Sequence, residues 1–138
     1  MNTPPEFDEA RTLGFKLFHV SERMSQEFDA IAASMNLTPT NARTLLELRE
    51  PSPMRVVAQA LVCDASNITG LADRLEKQGL LERVTGQDRR VKLLQLTDEG
   101  EKVREELASR IAKDSPVTAR LTQSERATLE GLLDKLLL

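Results

Sequence analysis

A change of hydrophobic period between Asp64 and Gly100 constrains this chain more than any other feature of its sequence. In DASNITGLADRLEKQGLLERVTGQDRRVKLLQLTDEG, Leu71, Leu75 and the Leu80–Leu81 pair recur at roughly helical intervals, with Gly79 where a helix C-cap falls. After Gly79 the period becomes two. Leu81, Arg83 and Thr85 share one side of an extended segment, and Glu82 and Val84 the other. Val91, Leu93 and Gln95 alternate in the same way with Lys92, Leu94 and Leu96, and the intervening turn, Gly86-Gln87-Asp88-Arg89-Arg90, has a basic tip. The stretch predicts helix, strand, turn, strand and the start of another helix. That order suits a nucleic-acid reader, whose helix enters a major groove while hairpin arginines reach phosphates or the adjacent minor groove. It also suits a plain helix–hairpin unit with a solvated charged turn.

The residues upstream add a second pattern. MRVVAQALVC, residues 54–63, predicts a short helix with Val56, Val57, Ala60 and Leu61 inward, closing at Cys63. A tight turn follows, and Ala65-Ser66-Asn67 opens the next helix with Asp64 or Ser66 as its cap. Short helix, turn and second helix is the helix-turn-helix order, the second helix being the reader. Ser66, Asn67 and Thr69 are short polar groups in its first turn, and Gly70 permits close backbone approach. The same residues also serve a helix that merely caps with Ser66 and Asn67 and packs at Gly70. Before this pair, Thr38 is an N-cap and Pro39 a first helical residue for a helix to about Arg49, with Ala42, Leu45, Leu46 and Leu48 inward. Pro51-Ser52-Pro53 breaks the chain.

Two flanking regions are helical and unusually apolar. From Phe7 to about Met35, Leu13, Leu17, Val20, Met24, Phe28, Ile31 and Met35 form a heptad-like stripe, with Phe15 and Phe18 off its line. A surface this wide needs more than one packing partner, either its own domain or a second subunit. Beyond the hairpin, Thr97-Asp98-Glu99 starts a helix with acids at its positive end and Val103, Leu107 and Ile111 inward, stopped by Ser115-Pro116. Thr122-Gln123-Ser124-Glu125 fits a capping box for a last helix carrying Leu129, Leu132, Leu133, Leu136, Leu137 and Leu138. That much leucine is expected to pack on the first helix and on another subunit.

Length and composition narrow the function. At 138 residues with 40% hydrophobic and 30% charged content, the chain is expected to form one integrated domain. No apolar run approaches a membrane span, and MNTPPEFDEAR has no apolar core of a secretory signal, so the expected location is the cytoplasm. The net charge is −3, yet Arg83, Arg89, Arg90 and Lys92 face only Asp88, while Asp98, Glu99, Glu101, Glu105 and Glu106 lie beyond the hairpin. This asymmetry favours one oriented binding surface. Cys63 is a lone cysteine, suited to a buried structural role or to a thiol switch. His19 is the lone histidine, so no multi-histidine metal site, no cofactor motif and no catalytic arrangement is expected.

DRRVKLLQLTDEG, residues 88–100, resembles the wing pattern D-x-R-x-x-x-L-x-L-T-x-x-G of the MarR family of bacterial transcription regulators, through Asp88, Arg90, Leu94, Leu96, Thr97 and Gly100. SNITGLADRLEKQGLLER, residues 66–83, is similar to the family's recognition helix and first wing strand. The resemblance implies a mainly α fold with a small β-hairpin wing. An arm and dimerisation helix would occupy residues 1–36, a winged helix-turn-helix residues 37–98, and C-terminal dimerisation helices residues 99–138. It implies a homodimer on an inverted-repeat double-stranded DNA operator, acting as a repressor that a small-molecule effector releases, with no membrane role. The DNA-binding residues would be Ser66, Asn67, Thr69, Gly70, Arg74, Arg83, Asp88, Arg89, Arg90 and Lys92. Arg90 would enter the minor groove and Asp88 would orient the wing. Gly70 stands where members of the family often carry an arginine, and the wing turn is about one residue shorter. Two other readings remain open from the residues themselves. One is a wing that docks on an acidic protein, and the other is a redox switch at Cys63.

Overall fold

A computed structural model of the chain describes residues 2–61 and 65–138, with the backbone alone at Ala65 and Ser66. Cys63, the Asp64 cap and the Ser66 side chain therefore lie outside the described residues. The elements are α1 (Pro5–Ser34), α2 (Pro39–Glu47), β1 (Ser52–Pro53), α3 (Met54–Ala60), α4 (Ala65–Lys77), β2 (Leu81–Thr85), β3 (Lys92–Leu96), α5 (Asp98–Asp114), α6 (Pro116–Arg120) and α7 (Gln123–Leu136). It is mainly helical with a small antiparallel sheet, a winged helix-turn-helix.

Local chemistry places most boundaries. α1 ends with Asn36 in the left-handed region at φ 58°, its amide donating to the Ala33 carbonyl while Leu37 donates to Ala32. This paired closure satisfies carbonyls that a bare helix end leaves open. α4 ends the same way on Gly79 at φ 75°, with Gly79 donating to Glu76 and Leu80 to Leu75. Thr38 caps α2 by accepting from the Asn41 amide, with Pro39 at the first position. Thr122 and Glu125 exchange both bonds of a capping box at α7.

Residues 31–111 form one compact unit, which takes in the last turn of α1 and most of α5. Its core is built from Leu45, Leu48, Val57, Ile68, Leu71, Leu75, Leu81, Leu94 and Leu107, all buried. Full burial of each such side chain contributes about 1.5–3 kcal/mol. The sheet order is β1-β3-β2, with Arg83 opposite Leu94 and Thr85 opposite Lys92. Three features differ from the sequence expectation. β1 is a third strand, Ser52 and Pro53 pairing with Leu94 and Leu93. Pro116 stops α5 and also opens the short α6. On α3, Val57 and Ala58 are buried whereas Val56 and Ala60 are exposed. The inward set is Met54, Val57, Ala58 and Leu61, the i, i+3, i+4, i+7 positions, so the helix is phased one residue away from the expected face.

Residues 1–30 and 112–138 form the second compact unit. Among its described residues no side chain is buried, because the single buried residue of α1 is Ala32 and α6 and α7 have none. Leu13, Phe15, Leu17, Phe18 and Val20 on α1, Leu132 and Leu136 on α7 and Leu137 just after it are exposed. The stripe read from the sequence thus divides. Ile31 and Met35 are half-buried, while Leu13, Leu17, Val20 and Met24 face solvent in the single chain.

Candidate nucleic-acid interface

α4 buries one face and offers the other. Ile68, Leu71, Ala72 and Leu75 are buried against the core. Asn67, Thr69 and Arg74 are exposed and Gly70 half-exposed, with Asn67, Gly70 and Arg74 following one another at i, i+3 and i+7. No acid occupies the first turn, and the basic residues of the last turn are Arg74 and Lys77. The positive end of the helix dipole lies at the end nearest Asn67 and Thr69. Gly70 meets nothing where a Cβ would stand, so its lack of a side chain leaves the surface open there.

The hairpin tip is ordered by its own backbone. Asp88 accepts the Arg90 amide on its carboxylate at 3.0 Å, the Val91 amide donates to the Asp88 carbonyl at 2.9 Å, and the Gly86 amide donates to Val91 at 3.0 Å. Asp88 thus shapes the turn, which leaves the Arg89 and Arg90 side chains exposed at its end. Lys92 donates to the Thr85 hydroxyl at 3.1 Å across the strand pair. Gln95 bonds Glu82 at 2.7 Å on the opposite face.

The base of the wing is locked to the start of α5. Thr97 donates through its hydroxyl to the Gly79 carbonyl at 2.6 Å, accepts the Gly100 amide at 3.1 Å, and its own amide donates to the Leu80 carbonyl at 3.1 Å. A Cβ at Gly100 would overlap that Leu80 carbonyl, so only glycine fits. Thr97 and Gly100 therefore belong to the frame that carries the surface.

Arg83 is placed differently from the other expected residues. It sits on the inward face of β2, its side chain one-quarter exposed, and donates to Asp73 at 2.6 Å and to Glu76 at 3.1 Å, both on α4. The Asp73 bond chiefly raises the guanidinium pKa above its ordinary value, against a smaller opposing effect of burial. Asp73 and Glu76 were not among the residues expected at the site. A cation sharing the face of Leu81 calls for a counter-charge, but the alternation does not say which acids supply it. Among the described residues no cluster of metal-ligating side chains occurs and no helix is long and apolar enough to cross a membrane.

A helix-turn-helix whose second helix is followed by a basic-tipped hairpin defines the winged-helix class of DNA-binding transcription regulators. Comparison with known proteins narrows the class. A sequence model of the MarR family matches residues 37–92. A probable transcriptional regulator from Pseudomonas aeruginosa is 31% identical, over 89% of this chain and 95% of its own, with a TM-score of 0.67. A MarR family protein from Bacillus stearothermophilus is 25% identical over 97% of this chain and 96% of its own, at a TM-score of 0.79. A cysteine-to-serine mutant of MarR from E. coli, complexed with operator DNA, is 27% identical over 96% and 98%, at 0.75. A search of curated proteins gave no match. The chain belongs to the MarR family. It is a transcription regulator and not an enzyme.

Proposed function

We propose that the protein is a homodimeric repressor that binds an inverted-repeat double-stranded DNA operator in the cytoplasm and is released by a small-molecule effector. The observation that carries DNA reading is the pairing, within one compact unit, of an acid-free first turn of α4 with an ordered hairpin exposing Arg89 and Arg90. The operator complex of the E. coli relative supports the same partner. In this reading Ser66, Asn67, Thr69 and the open backbone at Gly70 meet base edges in the major groove. Arg74 and Lys92 meet phosphates, Arg89 and Arg90 reach the minor groove, and Asp88 holds the turn that aims them. Homodimerisation is supported by the apolar side chains that α1 and α7 leave uncovered. Repression and release by an effector follow the family resemblance.

Selection of bound sequences from a random DNA pool tests the reading. The expected product is an inverted repeat with half-sites roughly 10 base pairs apart or a small multiple. Its affinity should fall steeply with salt and exceed that for random DNA by at least about 10³-fold. Recovery of no preferred sequence would remove the proposal. Repression is read separately, from a reporter under the selected operator whose output should rise when the protein is deleted.

A further inference from the structure

We infer that Arg83 is a positioning residue, a brace that sets the angle between the wing and the reader helix through Asp73 and Glu76, and not itself a contact to DNA. The inference rests on the DNA-binding reading for its consequence, but the brace exists in the free protein. Arg83 lies opposite Leu94, on the sheet face that meets the core, and its guanidinium turns back to α4. Asp73 and Glu76, three residues apart, stand side by side on that helix and together take both terminal nitrogens of the fork. To reach a phosphate, Arg83 would have to abandon two carboxylates. The trio also carries one cation against two acids, and a net-negative cluster does not attract phosphate. The two bonds tie the middle of β2 to the C-terminal half of α4. Below them, Thr97 and Gly100 fix the base of the hairpin, and above them the free end of the hairpin carries Arg89 and Arg90. A lever held at its base and braced at its middle keeps its tip at a set distance from Asn67 and Arg74.

The test uses the full-length protein and three variants: Arg83→Gln, Asp73→Asn/Glu76→Gln, and all three changes together. Without DNA, amide hydrogen exchange across residues 82–92 should speed up several-fold in each variant, and by the same amount in the triple as in either parent. With the selected operator, Arg83→Gln and the double carboxylate variant should both weaken binding by about tenfold, again without adding. The slope of log affinity against log salt should stay at the parent value, since no phosphate contact is lost. Arg83→Lys should rescue poorly, because an ammonium cannot span both carboxylates as the fork does. A salt slope reduced by about one in Arg83→Gln, or tighter binding once the carboxylates are neutralised, would overturn the inference. So would unchanged exchange in all three variants. Coupled exchange in a protein that selects no DNA sequence would leave the brace standing and remove the DNA reading.

Discussion

Gly100 and Arg90 lie in one short motif yet answer to different forces. At Gly100 a Cβ would overlap the Leu80 carbonyl and crowd Leu96, and backbone cannot swing aside as a long side chain can. Gly100→Ala should therefore destabilise the fold by about 1–3 kcal/mol, read as a lowered melting midpoint. Arg90 has an exposed side chain, and the hydrogen bond its backbone amide donates to the Asp88 carboxylate survives truncation. Arg90→Ala should leave melting unchanged and weaken operator binding by about 1–3 kcal/mol, the range of a base-edge contact. Full affinity in the folded variant would exclude Arg90 from the interface. The motif was legible as a block of letters, but its division was not. Thr97 and Gly100 are recognisable as frame only once the Gly79 and Leu80 carbonyls stand beside them. Arg83 shows the same limit. Period two put it on the face of Leu81, but no spacing rule singles out Asp73 and Glu76 as its partners. Their meeting depends on the angle between α4 and β2, which no local pattern encodes.

Elements whose ends depend on local chemistry were readable. Thr38-Pro39, Thr122 to Glu125 and Gly79 each act on groups within four residues, so their roles follow from spacing alone. β1 was not readable, because two residues including a proline show no alternation and pair only when β3 lies alongside. α3 was misphased because Val56 and Val57 are equally apolar, and the packing against α4 chooses between them. Two predictions belong to this scale. Asn67 lies on the open face of α4 and Lys92 beside Thr85 on the wing. Asn67→Ala should change which sequence is preferred, whereas Lys92→Ala should weaken all sequences alike and reduce the salt slope by about one. The same uniform loss from both would refute this division. At α7, bonds from Thr122 hold the Glu125 carboxyl below its ordinary pKa. A depressed carboxylate pKa stabilises the folded helix end above the unfolded value, and that contribution fades as pH falls through the folded one. Helical content should accordingly show an acid-side loss that Glu125→Gln abolishes.

At the scale of the whole molecule, the two compact units have opposite deficits. Residues 31–111 hold every buried side chain among those described, and the unit of residues 1–30 with 112–138 holds none. Yet that second unit carries Leu13, Phe15, Leu17, Phe18 and Val20 on α1 and ends in Leu136, Leu137 and Leu138. Apolar surface left in water forgoes roughly 25 cal/mol for each Å² that a partner would cover. A second copy supplies a complementary surface by symmetry, and a two-fold axis also presents both reader helices to one side of a duplex. Dimerisation and tight binding should therefore fail together. Deleting the residues after Leu129 removes Leu132, Leu133 and the three terminal leucines while sparing residues 31–111. The truncated chain should sediment as a monomer at micromolar concentration, retain the hydrogen-exchange protection of the winged unit, and lose at least about a hundredfold in affinity for the inverted repeat, while still binding a half-site weakly. Loss of one of two linked binding modules has an effect of that size, since the second contact no longer benefits from a high effective concentration. A full-length protein that sediments as a monomer, or a truncated monomer as tight as its parent, would refute the dimeric reader.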